Sequence, residues 1–487
     1  MRTVTLIGSR RGRLTLGLSL LALSIGLQPL PASAQPFTAV PRDTKSFWIS
    51  GMAGWRYVSA TFLGSDSQIR LYGADGASVS SASARRIVDV VERHILPTDL
   101  HLFGVPREMG TIDLLLLPMS GTTLGYFDET DLVAPRAPGM DVHSNNANVL
   151  YLRPPQTMPD TDKMSDFYEV VAHELQHLLD FRLRVLDRHL QRQAIWLDEG
   201  LSFYAQLANG YWTPRDRLKV LAAANNPWWQ LPSMNVMDVA FAHYARVAYG
   251  RAGLFVTYLA ATYGPTFVRS LLVAPSTGMR AVDRQLRRRG SDVRQVFAEW
   301  AVALYLNKGA NGTFARLLHG FQFSPHLARK TVTVTTAGSQ YSNSRGIRLQ
   351  PWGNGYLRFE TTTFGYLRLT AQSSFDRLRA AIVLQNSDHA QSSRVYWMRR
   401  HGRDVLMANA TDFGRKYNRA TVVLSDVTSA FGRCQPLGSD TVEVTALLSP
   451  ANPKASVGGS VGSHSRGGTQ WVSSSRARRG LAMPCGD

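Results

Sequence analysis

The block His173-Glu174-Leu175-Gln176-His177, followed by Trp196-Leu197-Asp198-Glu199-Gly200, constrains this chain more than any other feature. Phe167, Val170, Val171, Leu175, Leu178 and Phe181 recur at three- and four-residue spacings, so the first block is predicted to lie on a buried amphipathic helix. Residues four apart share a helix face, which aims the imidazoles of His173 and His177 at one point. Glu174 sits about 100° further round, beside that point rather than on it. Two histidines and a glutamate inside such a helix are costly unless paired or ligated. The alternative is a pair of core histidines bonded to backbone. Three fixed residues recur by chance about once per 8,000 positions, so the second block carries much of the weight.

Between His177 and Glu199 lie 21 residues, enough for the rest of one helix, a turn and the start of another. Glu199 then completes a set of two histidines and one carboxylate with a fourth position open, the donor pattern of catalytic zinc. A third histidine six residues after His177 would mark another class of site, but Leu183 stands there. His189 has no supporting motif and reads as solvent-facing. Asp198 competes with Glu199 as ligand. The residues themselves read as a Zn2+ hydrolase, in which Glu174 is the general base for a zinc-activated water.

Together the two blocks resemble the gluzincin peptidases, in which a glutamate on a second helix completes the zinc site. Trp196 to Gly200 is similar to the Trp-Leu-Asn-Glu-Gly block of aminopeptidase-N-like enzymes, with Asp198 where that family has asparagine. The resemblance implies that Glu199 is a ligand. Val247 to Gly253 is similar to the Tyr-Glu-Lys-Gly segment of the same clan, which implies Tyr249 as donor to the tetrahedral oxyanion. His243 is the competing donor, and a core-packed tyrosine is the structural alternative. Over roughly residues 50–310 the chain most resembles secreted bacterial neutral metallopeptidases of the hyicolysin type. That likeness also rests on Gly125-Tyr126-Phe127-Asp128 with Asp131, and on Asn145 to Leu152. The chain lacks the Gly-x-Met-Glu-Asn segment with which aminopeptidases hold a free amino terminus, which favours an endopeptidase acting on a protein or peptide substrate. A zinc aminopeptidase and a non-enzymatic cell-envelope binding protein are the alternatives. A binding module, however, needs no general base. Asp128, Glu129 and Asp131 read as a solvated acidic loop in preference to a cation site.

Residues 1–34 read as an export signal. Arg10, Arg11 and Arg13 precede an apolar run, Leu14 to Leu27, too short to span a bilayer, and Ala32-Ser33-Ala34 is a small-residue cleavage site. Ser9-Arg10-Arg11 hints at twin-arginine export. The expected destination is secreted or periplasmic. The chain carries a net charge of +19, and +15 without the four arginines of this segment. Such a charge favours an anionic cell-envelope surface or acidic proteins; no motif supports nucleic-acid binding. Arg287-Arg288-Arg289 reads as a solvated loop edge. Cys434 and Cys485 are the only cysteines, and an exported pair is expected to form a disulfide.

At 487 residues more than one domain is expected. Residues 35–55 read as a lead-in. Residues 56–320 read as the catalytic domain, for which the resemblance implies an α+β zincin-like fold: a sheet, the active-site helix, then a helical subdomain. Expected elements include strands at 56–62, 68–72, 111–117 and 148–152, and a helix at 83–95 ending before Pro97. The resemblance further implies that Asn146 to Val149 forms the sheet edge facing the cleft, with an ordinary core strand as the alternative. Short strand-like runs at 331–336, 356–359, 366–370, 380–384, 395–398, 421–424 and 441–445 suggest an all-β sandwich-like domain over 325–448. A flexible Gly/Ser/Arg-rich tail is expected over 449–487.

Overall fold

The computed structural model describes residues 44–449, apart from 52–53, 75, 78, 134–142, 232–241, 307–311, 335–339, 343–345, 374–376, 387–392, 403 and 428–439. The export signal, both cysteines and residues 450–487 lie outside the described residues; Ser449, expected in the tail, closes the last strand.

The lead-in is not featureless. Phe47 and Ile49 alternate with more exposed neighbours, so Thr44–Gly51 forms β1 and pairs antiparallel with β2 (Gly54–Ser65). Next come β3 (Ile69–Ala74), β4 (Ile112–Leu116), β5 (Gly125–Phe127) and β6 (Asn148–Leu152), in the sheet order β1-β2-β3-β4-β6-β5. Parallel β4 and β6 are buried on both faces. Helices cover one face. On the other, Phe47 and Ile49 of the first hairpin pack with Tyr72, Leu115, Val149 and Tyr151.

Two expectations are corrected here. Asn146 to Val149 is not an edge: β6 lies between β4 and β5, and the edge strand is β5. Tyr126 of β5 stacks on Tyr151 of β6 with ring centroids 4.4 Å apart, which holds this three-residue strand in place. Nor does Pro97 end the first helix. α1 (Ser81–Val90) passes through a π-helical turn, Val91–Ile95, into α2 (Leu96–Phe103). Pro97 falls in the first turn of α2, directly after the wider π turn.

The helical region comprises α3 (Lys163–Asp180), α4 (Ile195–Ala208), α5 (Pro214–Asn225), α6 (Ala242–Tyr263), α7 (Pro265–Leu272), α8 (Gly278–Arg287) and α9 (Val293–Leu306). Beyond it the chain is β-rich. β7 (Thr331–Thr333), β10 (Asn354–Glu360), β12 (Leu378–Gln385), β13 (Ser393–Trp397) and β16 (Arg419–Asp426) form one sheet. β8 (Gln340–Ser342), β9 (Ile347–Leu349), β11 (Tyr366–Gln372), β14 (Arg399–Arg400), β15 (Val405–Ala410) and β17 (Asp440–Ser449) form the other. Between them lie Leu357, Phe359, Leu369, Ile382, Val422 and Val444. The first sheet also caps α9: Tyr356 donates to the Ala301 carbonyl at 3.0 Å and Thr421 to the Tyr305 hydroxyl at 2.7 Å. Fully buried Arg251 of α6 donates to the carbonyls of Pro227 and Trp352, at 2.8 and 3.0 Å. The chain is thus a mixed α+β protein with a β-rich C-terminal region. Among the described residues no helix is long and apolar enough to cross a membrane.

Candidate metal centre

α3 begins where the Asp162 carboxylate accepts the Ser165 N–H at 3.1 Å. Its apolar stripe, including Phe167, Val171, Leu175 and Leu178, is fully buried. The face bearing His173 and His177 turns toward α4, which carries Glu199. A side chain on Gly200 would meet the Ala252 carbonyl oxygen at 2.9 Å and Val256 Cγ2 at 2.7 Å, so the glycine lets α4 and α6 pack in direct contact. That contact brings the Tyr249 hydroxyl within 3.1 Å of Glu199 Oε1.

His173, His177 and Glu199 each offer one ligand atom, all within 4.8 Å of one another. Glu199 Oε2 lies 3.1 Å from His173 Nε2 and 3.7 Å from His177 Nε2. Burial works against charge on Glu199, but the hydrogen bond from His173, the two imidazoles and the Tyr249 hydroxyl outweigh it and hold the carboxyl at about 2. Burial likewise opposes charge on His177, yet Asp198, Glu199 and Glu174 together raise its pKa well above the usual value. The local field therefore favours a cation.

Both rings are oriented from behind. Asp198 Oδ2 lies 3.0 Å from His177 Nδ1, which leaves Nε2 to face Glu199. Asp198 therefore orients a histidine from outside the ligand group. His173 Nδ1 lies 3.3 Å from Gln206 Oε1, and the Gln206 amide N–H donates to Glu169. A carboxylate only accepts hydrogen bonds, so Glu169 fixes which end of the amide faces His173. The amide oxygen in turn favours a proton on Nδ1, so that Nε2, now hydrogen-bonded to Glu199, is the nitrogen an ion would take. Arg215 anchors Glu169 at 2.9 Å, and Lys219 lies 3.8 Å from it. The donor set fits zinc in type and spacing: two imidazole nitrogens and one carboxylate oxygen, each histidine held by a further polar partner.

Glu174 lies outside the ligand group and is 8% exposed. Burial raises its pKa, against the opposing pull of His173 and His177, and the Phe127 backbone of β5 hydrogen-bonds its carboxylate. A side chain on Gly125 would meet Val170 at 2.5 Å and Glu174 Cγ at 3.3 Å, so glycine here lets β5 lie against α3. Tyr249 is pushed well above its ordinary value, first by burial and then by Glu199, and stays a proton donor.

Other candidates sit elsewhere. His189 is exposed, at a left-handed turn residue with φ 54°, away from the ligand group. His243 occupies the first turn of α6, with its side chain outside the described part. The acidic loop is not solvated as expected: Asp131 is fully buried and accepts from Tyr151 at 2.6 Å and from Asn145. Asp128 is engaged by Ser50 and Thr130, and Glu129 by Arg192.

Gln206, Glu169 and Ser202 escaped the sequence reading. Ser202 Oγ lies 3.3 Å from His177 Nδ1. The available signal was helical spacing: Glu169 is four residues before His173, and Gln206 seven after Glu199.

No family model matches the chain, and no curated protein sequence matches it. Among solved structures, the pre-peptidase C-terminal domain of a collagenase from Bacillus anthracis is 11% identical, covering 24% of this chain and 94% of that one, with a TM-score of 0.16. A periplasmic lysozyme inhibitor from Aeromonas hydrophila is 7% identical, covering 24% and 97%, also with a TM-score of 0.16. A 4-O-methyl-alpha-glucuronidase is 10% identical, covering 61% and 46%, with a TM-score of 0.14. Likeness at this level assigns neither family nor function.

Proposed function

We propose that this chain is an exported zinc-dependent endopeptidase of the gluzincin type, with a zincin-like arrangement of sheet, α3 and α4. The observation that carries the reading is the convergence of His173, His177 and Glu199 beside buried Glu174. Zinc held by those three residues would supply the Lewis acidity that polarises a peptide carbonyl and acidifies water. Glu174 takes the proton of the attacking water and passes it to the leaving amine; burial, which raises its pKa, makes it a stronger base for the first transfer. Tyr249 donates its hydroxyl proton in a hydrogen bond to the developing oxyanion. β5, whose backbone touches Glu174, is the sheet edge along which an extended peptide backbone aligns. Asp128 and Glu129 at its end already have partners, which disfavours capture of a free amino terminus and so favours internal cleavage.

The test is hydrolysis of unfolded casein by the full chain, with and without a zinc chelator, beside Glu174→Ala. Internal cuts that need both metal and Glu174 support the reading. Cleavage that persists in the chelator or in the variant refutes it.

A further inference from the structure

α8 buries Met279, Val282 and Leu286 and turns Arg280, Arg284 and Arg287 outward, with exposed Arg288 just beyond its end. With Ser276 and Asp283 these arginines line an open groove of about 660 Å³. Asp283 pairs with Arg287 at 2.8 Å. Among the described residues, Arg280 and Arg284 have no acidic partner within ion-pair distance. The segment carrying Ser276 is braced from inside. Buried Arg184 donates to the carbonyls of Leu272, Ala274 and Ser276, at 3.0, 2.7 and 3.2 Å. A braced segment and a row of cations make a surface suited to an anionic chain.

The spacing favours a particular chain. Along one face of α8, Arg280 and Arg284 are separated by about 6 Å of helix rise, while Arg287 is already paired with Asp283. Same-face side chains of an extended peptide recur every roughly 6.7 Å. The opposite, buried side of α8 packs on the segment leading into Glu199: Gly278 donates its N–H to Gln193 Oε1 at 2.7 Å and lies against Ala194 and Trp196. We propose that this groove binds an extended acidic segment of the polypeptide substrate, with carboxylates at alternate positions. The choice of occupant rests on the peptidase reading.

The test is fluorescence anisotropy of the full chain, metal removed by chelator, with a labelled peptide alternating glutamate and alanine. The control peptide replaces each glutamate by glutamine. The acidic peptide is expected to bind, and more weakly as salt rises. The triple variant Arg280→Ser, Arg284→Ser, Arg287→Ser should lose about tenfold in affinity, while the corresponding triple lysine variant keeps most of it. Equal binding of the glutamine peptide, or unchanged binding by the serine variant, overturns the proposal. Tighter binding of inorganic polyphosphate than of the acidic peptide overturns the peptide as occupant. Because binding is read without metal, its failure is separable from failure of zinc-dependent hydrolysis.

Discussion

Glu169 is four residues from His173 and touches no candidate ligand, yet Glu169→Gln should weaken zinc binding. In the native arrangement the Glu169 carboxylate accepts the Gln206 amide N–H, which leaves Gln206 Oε1 3.3 Å from His173 Nδ1. A glutamine at 169 offers either its oxygen or its nitrogen, so the Gln206 amide is free to reverse and present donors to His173. The ring then loses the partner that keeps its proton on Nδ1 and its Nε2 free for the ion. Both Gln206 and Glu169 are buried, at 1% and 2% exposure, so water does not readily replace the lost partner. Loss of such an outer partner costs about 10–100-fold in metal affinity, or about 1.4–2.7 kcal/mol. Competition against a chromophoric chelator reads that change. Asp166→Asn is the control, because Asp166 pairs with Arg215 but has no contact with Gln206. It should lower stability and leave zinc affinity within about twofold. Native zinc affinity in Glu169→Gln, or an equal loss in Asp166→Asn, refutes the orienting chain.

Tyr249→Phe should cut turnover by about 100-fold, roughly 3 kcal/mol, with zinc content and thermal unfolding unchanged; steady-state kinetics on a defined peptide decide it. Gly200→Ala pushes a methyl onto the Ala252 carbonyl and Val256, and should destabilise the fold by about 1–3 kcal/mol in urea denaturation; native stability would mean that α4 and α6 do not depend on this close approach. Asp99 supplies a pH test away from the centre. Fully buried, with Oδ2 unpartnered and one hydrogen bond from Asn209 at 2.7 Å, it is pushed well above the ordinary carboxyl value of 3.8 by burial. The folded state therefore holds this proton more tightly than the unfolded state, and stability falls as pH rises from about 4 through the folded pKa. Asp99→Asn removes that dependence, so its stability relative to the native chain should be higher at pH 8 than at pH 5; an equal difference at both pH values speaks against the buried charge.

Features governed by local geometry were legible in the chain. His173 and His177 are one helical turn apart, and no alternative packing of that stripe separates them. Strand-like runs beyond residue 330 each overlap a strand, because alternating apolar residues between turn formers need little tertiary information. Val405–Ala410 was missed: Met407-Ala408-Asn409-Ala410 has little β preference, and its place beside β11 comes from pairing with a partner distant in sequence. Edge position depends on the same kind of information. Nothing in Gly125-Tyr126-Phe127 announces that three residues will pair outside β6, and only the packed sheet places them there. Gln206 and Glu169 carry no motif because their roles exist only once α3 and α4 cross.

The most direct test of the central claim is the zinc content of the purified full chain, measured by mass spectrometry of the metal beside Glu199→Ala and Glu174→Ala. The account predicts one zinc per chain in the native protein and in Glu174→Ala, and loss of that zinc in Glu199→Ala. No zinc in the native protein, or full zinc retained after Glu199→Ala, would contradict it.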